Sequence, residues 1–188
     1  MNEIVRAAAE LQAVCVDQNW KFCFIGGLAL QRWGEPRETV DVDLTLLTGF
    51  GGEQQFINVL LKHFDGRIPG ADQFALKNRV LLLKSTTGVG LDIALGALPF
   101  EELAVQRSSL FEYPPGVSLR TCSAEDLIVM KSFAGRGQDW VDVERVIVRQ
   151  TGNLDWFYID RQLRPLVELK GLPGTLNELS RRRTEFEK

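Results

Sequence analysis

The chain has 188 residues, 45% of them hydrophobic and 25% charged, with a formal net charge of −3. That length supports one substantial core, or a core with a small helical appendage, and the negative balance does not favour indiscriminate attraction to nucleic acid. No apolar run approaches the roughly 20 residues needed to cross a bilayer, and the start Met1-Asn2-Glu3-Ile4-Val5-Arg6 carries both charge signs, so neither a membrane span nor a signal peptide is expected and a cytoplasmic location is the default.

In chain order, Ile4, Ala8, Leu11 and Val14 or Cys15 recur at helical spacing behind a possible cap at Asn2, which predicts an amphipathic helix over residues 3–18. "KFCFIGG" reads as a short buried strand that turns sharply at Gly26 and Gly27, and "LALQRW" as a short helix stopped by Gly34 and Pro36. "TVDVDLTLL" alternates, with Val42, Leu44 and Leu46 on one face and Asp41, Asp43 and Thr45 on the other. "EQQFINVLLKHF" predicts a helix. "FALKNRVLLLKSTTGVGLDIAL" predicts two strands around Thr86-Thr87-Gly88, the second interrupted by Asp92 between Leu91 and Ile93.

"FEELAVQRS" is expected to be helical, and "SLFEYPPGVSL" to be an irregular or short-strand connection broken by Pro114-Pro115-Gly116. "SAEDLIVMKSFAGR" carries a Ser123 cap with Asp126 three residues on, and opens a helical series continued by "QDWVDVERVIVRQ", "DWFYIDRQLRPLVELK" and "TLNELSRRRTEF". The expected organisation is an α/β (α+β) part over residues 1–120 and a helical region over 121–188 packed on it.

Cys15, Cys23 and Cys122 are odd in number and set among apolar neighbours, as small buried side chains rather than disulfides or zinc ligands. His63 has no partner at ligand spacing and reads as a surface residue. Arg181-Arg182-Arg183 reads as a solvated helix face, and Trp156, Phe157 and Tyr158 as packing side chains, with stacking on a nucleic acid as the alternative.

Acids inside strands demand compensation. Asp41 and Asp43 project from the same face, about 7 Å apart along the chain, and repel unless a cation sits between them. Oxygen ligands suit Mg²⁺ or Mn²⁺, which take their remaining ligands from water and substrate phosphates. With Asp92 as a third carboxylate, two ions could bridge the acids and a triphosphate, one activating an attacking hydroxyl and the other neutralising the leaving pyrophosphate. Gly26 and Gly27, opening a short helix, would let backbone amides approach a phosphate.

"GGLALQRWGEPRETVDVDL" resembles the signature of the DNA polymerase beta-like nucleotidyltransferase superfamily, a glycine pair opening a short helix followed by a D-x-D on the next strand. The resemblance implies a nucleotidyltransferase-fold mixed β-sheet flanked by helices. It also implies that Asp92 is the third carboxylate. "SAEDLIVMKSFAGRGQDWVDVERV" is similar to the segment that follows the core in AbiEii toxin-like small bacterial nucleotidyltransferases. By that resemblance Lys131 would contact nucleotide phosphates, and Asp139 and Asp142 would fix the lysine or the substrate. The likeness covers roughly residues 20–150 and leaves the role of 151–188 open.

The leading expectation is a metal-dependent enzyme that moves an NMP from an NTP to an acceptor. Asp41, Asp43 and Asp92 would be its catalytic and metal-binding residues, and Gly26, Gly27, Lys131, Asp139 and Asp142 its nucleotide site. The acceptor would be tRNA, a protein hydroxyl or a small molecule, and the family implies a toxin restrained by an antitoxin. The alternative is a non-catalytic nucleotide-binding or scaffold protein that keeps the fold. A metal-dependent hydrolase lacks the histidines common in such sites.

Overall fold

The computed structural model describes residues 2–172 and 174–187. Their elements, in order, are α1 (Glu3–Asp17), β1 (Phe22–Phe24), α2 (Gly26–Trp33), β2 (Asp41–Leu47), α3 (Glu53–His63), β3 (Asp65–Gly66), α4 (Ala71–Asn78), β4 (Val80–Lys84) and β5 (Gly90–Gly96). There follow α5 (Pro99–Arg107), β6 (Ser109–Tyr113), β7 (Val117–Thr121), α6 (Ala124–Ala134), α7 (Gly137–Arg149), α8 (Trp156–Lys170) and α9 (Gly174–Phe186). The chain divides into two compact units, Met1–Leu28 with Glu38–Cys122, and Ala29–Arg37 with Ser123–Lys188.

The first unit is built on a mixed seven-stranded sheet of order β3-β4-β5-β2-β1-β7-β6. β2 lies inside it, parallel to β5 and antiparallel to β1, while β1 runs parallel to β7. The alternation read in "TVDVDLTLL" sets this strand: Val42, Leu44 and Leu46 are fully buried, whereas Asp41 and Asp43 are only partly covered. Leu81, Leu83, Leu91 and Ile93 from β4 and β5 join them in one core with Leu11 of α1 and Ile57 and Leu60 of α3. Each such side chain contributes about 2 kcal/mol through area removed from water. Asn2 caps α1, its side chain accepting from the Ile4 amide at 3.0 Å.

In the second unit α6 packs against α7 and α8, and α9 against α7 and α8, around Leu127, Ile128, Val143, Val146, Ile147, Ile159 and Leu163. Ser123 caps α6 by accepting from the Asp126 amide at 3.1 Å. The Asp126 carboxylate in turn accepts from the Ser123 hydroxyl at 2.7 Å and from the Tyr158 hydroxyl of α8 at 2.6 Å. The polar start of α6 is thereby buried with its hydrogen bonds made, and the helix that carries Lys131 is fixed to α8.

Two expectations are corrected, and one that offered alternatives is narrowed. The stretch "FALKN" is not strand: it lies in α4, and the strand begins at Val80. Ala71 and Ala75, four apart, are buried as one helical face, while Phe74 and Leu76 are 37% and 45% exposed. Of the two alternatives for "SLFEYPPGVSL", the short-strand one holds: β6 and β7 pair antiparallel around Pro114-Pro115-Gly116, and Tyr113 donates its hydroxyl to the Leu28 carbonyl at 2.6 Å. Arg182 is not on a solvated face: its side chain is 13% exposed, pairs with Glu144 and Glu178, and stacks over Trp140 at 4.9 Å. Its neighbours Arg181 and Arg183 pair with Glu178, Glu185 and Glu187.

Cys15, Cys23 and Cys122 are free and buried, and burial pushes the Cys15 thiol up to about 12. His63 is exposed. Of the three aromatics at the start of α8, Tyr158 packs inside, whereas Phe157 is exposed. Among the described residues no helix is long and apolar enough to cross a membrane.

Candidate active site

Parallel pairing of β2 with β5 places Asp41 opposite Gly90 and Asp43 opposite Asp92. One carboxylate oxygen from each of Asp41, Asp43 and Asp92 therefore lies within 4.8 Å of the other two. All three residues are partly buried, so their mutual repulsion is poorly screened by water. Burial raises the Asp92 carboxyl above its ordinary range; the Arg67 guanidinium, whose Nη2 lies 2.6 Å from Asp92 Oδ1, opposes that rise, and the charge of Asp41 adds to it.

The glycine pair is built against these acids. Gly26 opens α2 with φ +55, and a Cβ added there would stand 1.9 Å from Asp43 Oδ2. The adjoining amide of Ile25 donates to the Asp43 carbonyl at 3.0 Å. A Cβ on Gly27 would stand 2.3 Å from the Thr39 hydroxyl oxygen, which lies 3.2 Å from the Asp41 carbonyl and 3.4 Å from its Oδ1. Thr39 thus orients Asp41, and Gly27 leaves room for Thr39. The motif reading did not single out Thr39 or Arg67; a polar residue two before the first acid was the only available signal for the former.

The three acids, with no nitrogen or sulfur donor among them, fit a hard divalent cation such as Mg²⁺ or Mn²⁺. Gly26→Ala is expected to push Asp43 or the turn out of place, adding about 1–2 kcal/mol of left-handed backbone strain. A displacement of about 1 Å is enough to cost roughly a hundredfold in turnover. Rate and melting temperature measured together test this, and an unchanged rate would detach the turn from the site.

Lys131, Asp139 and Asp142 form a second cluster, in the helical unit. The Lys131 side chain is 10% exposed, and its ammonium donates to Asp139 Oδ1 at 3.1 Å and Asp142 Oδ2 at 2.8 Å. Arg37 grips Asp142 with two bonds, Nε to Oδ1 at 2.9 Å and Nη2 to Oδ2 at 3.0 Å, and Gln138 adds a third donor at 3.0 Å. Arg136 Nε donates to Asp139 Oδ2 at 2.7 Å. Read without the family, Lys131 is a helix-surface lysine; the structure instead buries it between two acids that face it from one side of α7.

Burial alone would raise the Asp142 carboxyl, but the hydrogen bonds from Arg37, Lys131 and Gln138 outweigh it and hold the group at about 2. Burial likewise opposes, and Arg136 and Lys131 overcome, the shift at Asp139, which is lowered in the same way. Both lie below the unfolded value of about 3.9. Their stabilisation is therefore complete above roughly pH 5 and is lost as pH falls toward 2, on the order of 2 kcal/mol for Asp142. Denaturant titrations between pH 7 and pH 2.5 should show this acid limb in the wild type and a shallower one in Asp142→Asn. Parallel limbs would contradict it.

The profile of the family "Nucleotidyl transferase AbiEii toxin, Type IV TA system" matches residues 11–188. No curated protein matches the chain. Among solved structures, an antigenic nucleotidyltransferase-like protein from Paracoccidioides brasiliensis is similar with TM-score 0.53 and 17% identity, over 96% of this chain and 93% of that one. ANT(2'')-Ia in complex with adenylyl-2''-tobramycin is similar with TM-score 0.50 and 17% identity, over 97% of this chain and 98% of that one. At such identities the likeness to both is one of fold, and it agrees with the mixed sheet described above. The family match spans nearly the whole chain: this protein belongs to the AbiEii family of nucleotidyl transferase toxins.

Proposed function

We propose that the protein transfers an NMP from an NTP to an acceptor with two divalent cations, and that it acts as the toxin of a toxin–antitoxin pair. The observation that carries the chemistry is the approach of Asp41, Asp43 and Asp92 to within 4.8 Å beside the Gly26 turn. Asp41 and Asp43 would hold both cations, and Asp92 the one nearer the acceptor. When bound, the cations supply charge neutralisation at the phosphates and activation of the acceptor hydroxyl.

The remaining work falls to the chain's own residues. Thr39 keeps the Asp41 carboxylate in orientation, and the Gly26-Gly27 turn, bare of side chains beside Asp43, would offer its backbone amides to a phosphate. Lys131 as a further phosphate contact, with Asp139 and Asp142 as its supports, belongs to the same proposal and rests on the family resemblance. Two of the three ammonium donors are engaged by those acids, which leaves one for a phosphate oxygen.

The solved structure of ANT(2'')-Ia holds adenylyl-2''-tobramycin, which supports keeping a small molecule among the acceptors to be tested here. For a chain of this toxin family we take tRNA or a protein hydroxyl as the acceptor classes to test beside a small molecule. The test is incubation of the purified protein with each α-labelled NTP and Mg²⁺ or Mn²⁺, with total RNA or protein extract as acceptor. Metal-dependent label in an RNA or a protein band supports the proposal and names the acceptor class. Nucleotide binding without transfer to any acceptor would move the reading to a non-catalytic nucleotide sensor.

A further inference from the structure

Arg67 lies inside the carboxylate site, and none of the roles assigned above uses it. It follows β3, and its amide donates to the Leu82 carbonyl at 2.9 Å, which fixes the root of the side chain beside β4. The guanidinium reaches to β5, where Nη2 stands 2.6 Å from Asp92 Oδ1. The seat is prepared for it. A Cβ on Gly90 would lie 2.4 Å from Arg67 Nη1 and 3.7 Å from the Asp41 Cβ, so the guanidinium rests on the bare backbone of the residue that faces Asp41 across the sheet. Gly90 does not occupy the left-handed region, so its lack of a side chain serves space rather than backbone conformation.

A guanidinium does not lose its proton, so it holds the place of a cation on Asp92 at any physiological pH. We propose that Arg67 is the resident counter-ion of Asp92 and couples cation loading to triphosphate binding. Its contact with Asp92 Oδ1 competes with a metal ion for the third acid, and the polyphosphate is the anion whose paired oxygens receive the fork in exchange. The proposal rests on the metal-dependent reading of the three acids. Arg67 is a positioning residue in the free enzyme and a phosphate contact once nucleotide is bound. Metal alone then binds weakly, nucleotide strengthens it, and by linkage metal strengthens nucleotide equally.

The test is Mn²⁺ binding to the full chain, by spin resonance of free Mn²⁺, with and without the α,β-methylene analogues of ATP, GTP, CTP and UTP in turn. Arg67→Ala is expected to bind Mn²⁺ alone roughly fivefold more tightly than the wild type, the scale set by one partly exposed ion pair. The strengthening by nucleotide should shrink by a similar factor. Gly90→Ala keeps the arginine's charge but pushes the guanidinium off its seat, and should reproduce both changes. Unchanged or weaker Mn²⁺ affinity in Arg67→Ala, with the nucleotide increment intact, would overturn the proposal, as would a lowered melting temperature being the sole effect. Wild-type protein that binds Mn²⁺ beside an Asp43→Ala variant that does not would uphold the reading of the acids whatever Arg67→Ala does. Wild-type protein that binds no Mn²⁺ under any of these conditions would overturn both.

Discussion

Alanine at Asp41 and Asp43 together is expected to abolish nucleotidyl transfer, by at least about a thousandfold, while the fold survives. Two of the three carboxylates within 4.8 Å of one another are removed, and with them the ligands for cations that neutralise the phosphates. Transition-state electrostatics of this kind contribute several kcal/mol, and about 1.4 kcal/mol is tenfold in rate. Both residues are partly exposed on β2, whose hydrophobic anchors Val42, Leu44 and Leu46 are untouched. Without metal the double variant should melt at the wild-type temperature or slightly above it, because like charges beside Asp92 are gone. Full activity would refute the catalytic assignment. A large fall in melting temperature in EDTA would make the acids structural.

Asp142→Ala is expected to act on stability instead, with a loss of about 3–5 kcal/mol. Asp142 is fully buried and accepts from Arg37, Lys131 and Gln138, so its removal leaves the Lys131 ammonium, itself nearly buried, with Asp139 as its remaining carboxylate partner. A native protein holds only about 5–15 kcal/mol in total, so the variant should unfold in much milder denaturant. Asp142→Asn keeps the shape and part of the hydrogen bonding and should lie between. Urea unfolding of the three proteins measures the series. A cost below about 1 kcal/mol for Asp142→Ala would show that the cluster is not holding α6 and α7 together.

What could be read from the chain alone differs by element for physical reasons. β2 was legible because a period of two with acids on a single face is incompatible with a helix, and the acids' placement implied a shared charge partner. α1 and α6 were legible through periodicity and caps, Asn2 and Ser123 being hydrogen-bonded as their positions suggested. α4 was missed because eight residues give little more than two turns, and Phe74 and Leu76 imitate strand alternation while facing out. The approach of Asp92 to Asp43 depends on a parallel register between strands separated by α3, β3, α4 and β4, which no local pattern encodes. Arg67 was invisible for the same reason: a lone arginine in a connection has no period, and only the folded sheet brings it over Gly90. The burial of Lys131 follows from the meeting of α6 with α7 and was not legible in the sequence, where the family resemblance carried only its expected contact with phosphates.

In the proposed function Asp41, Asp43 and Asp92 are the metal ligands of a nucleotidyl-transfer site. Anomalous scattering from crystals grown with Mn²⁺ and an α,β-methylene NTP analogue tests it most directly. Mn²⁺ peaks are expected within metal–oxygen bonding distance of all three carboxylates, with the analogue's phosphates on the opposite side of the ions, and those peaks should be lost in Asp43→Ala. Peaks elsewhere, or bound nucleotide with no metal at these acids, would contradict it.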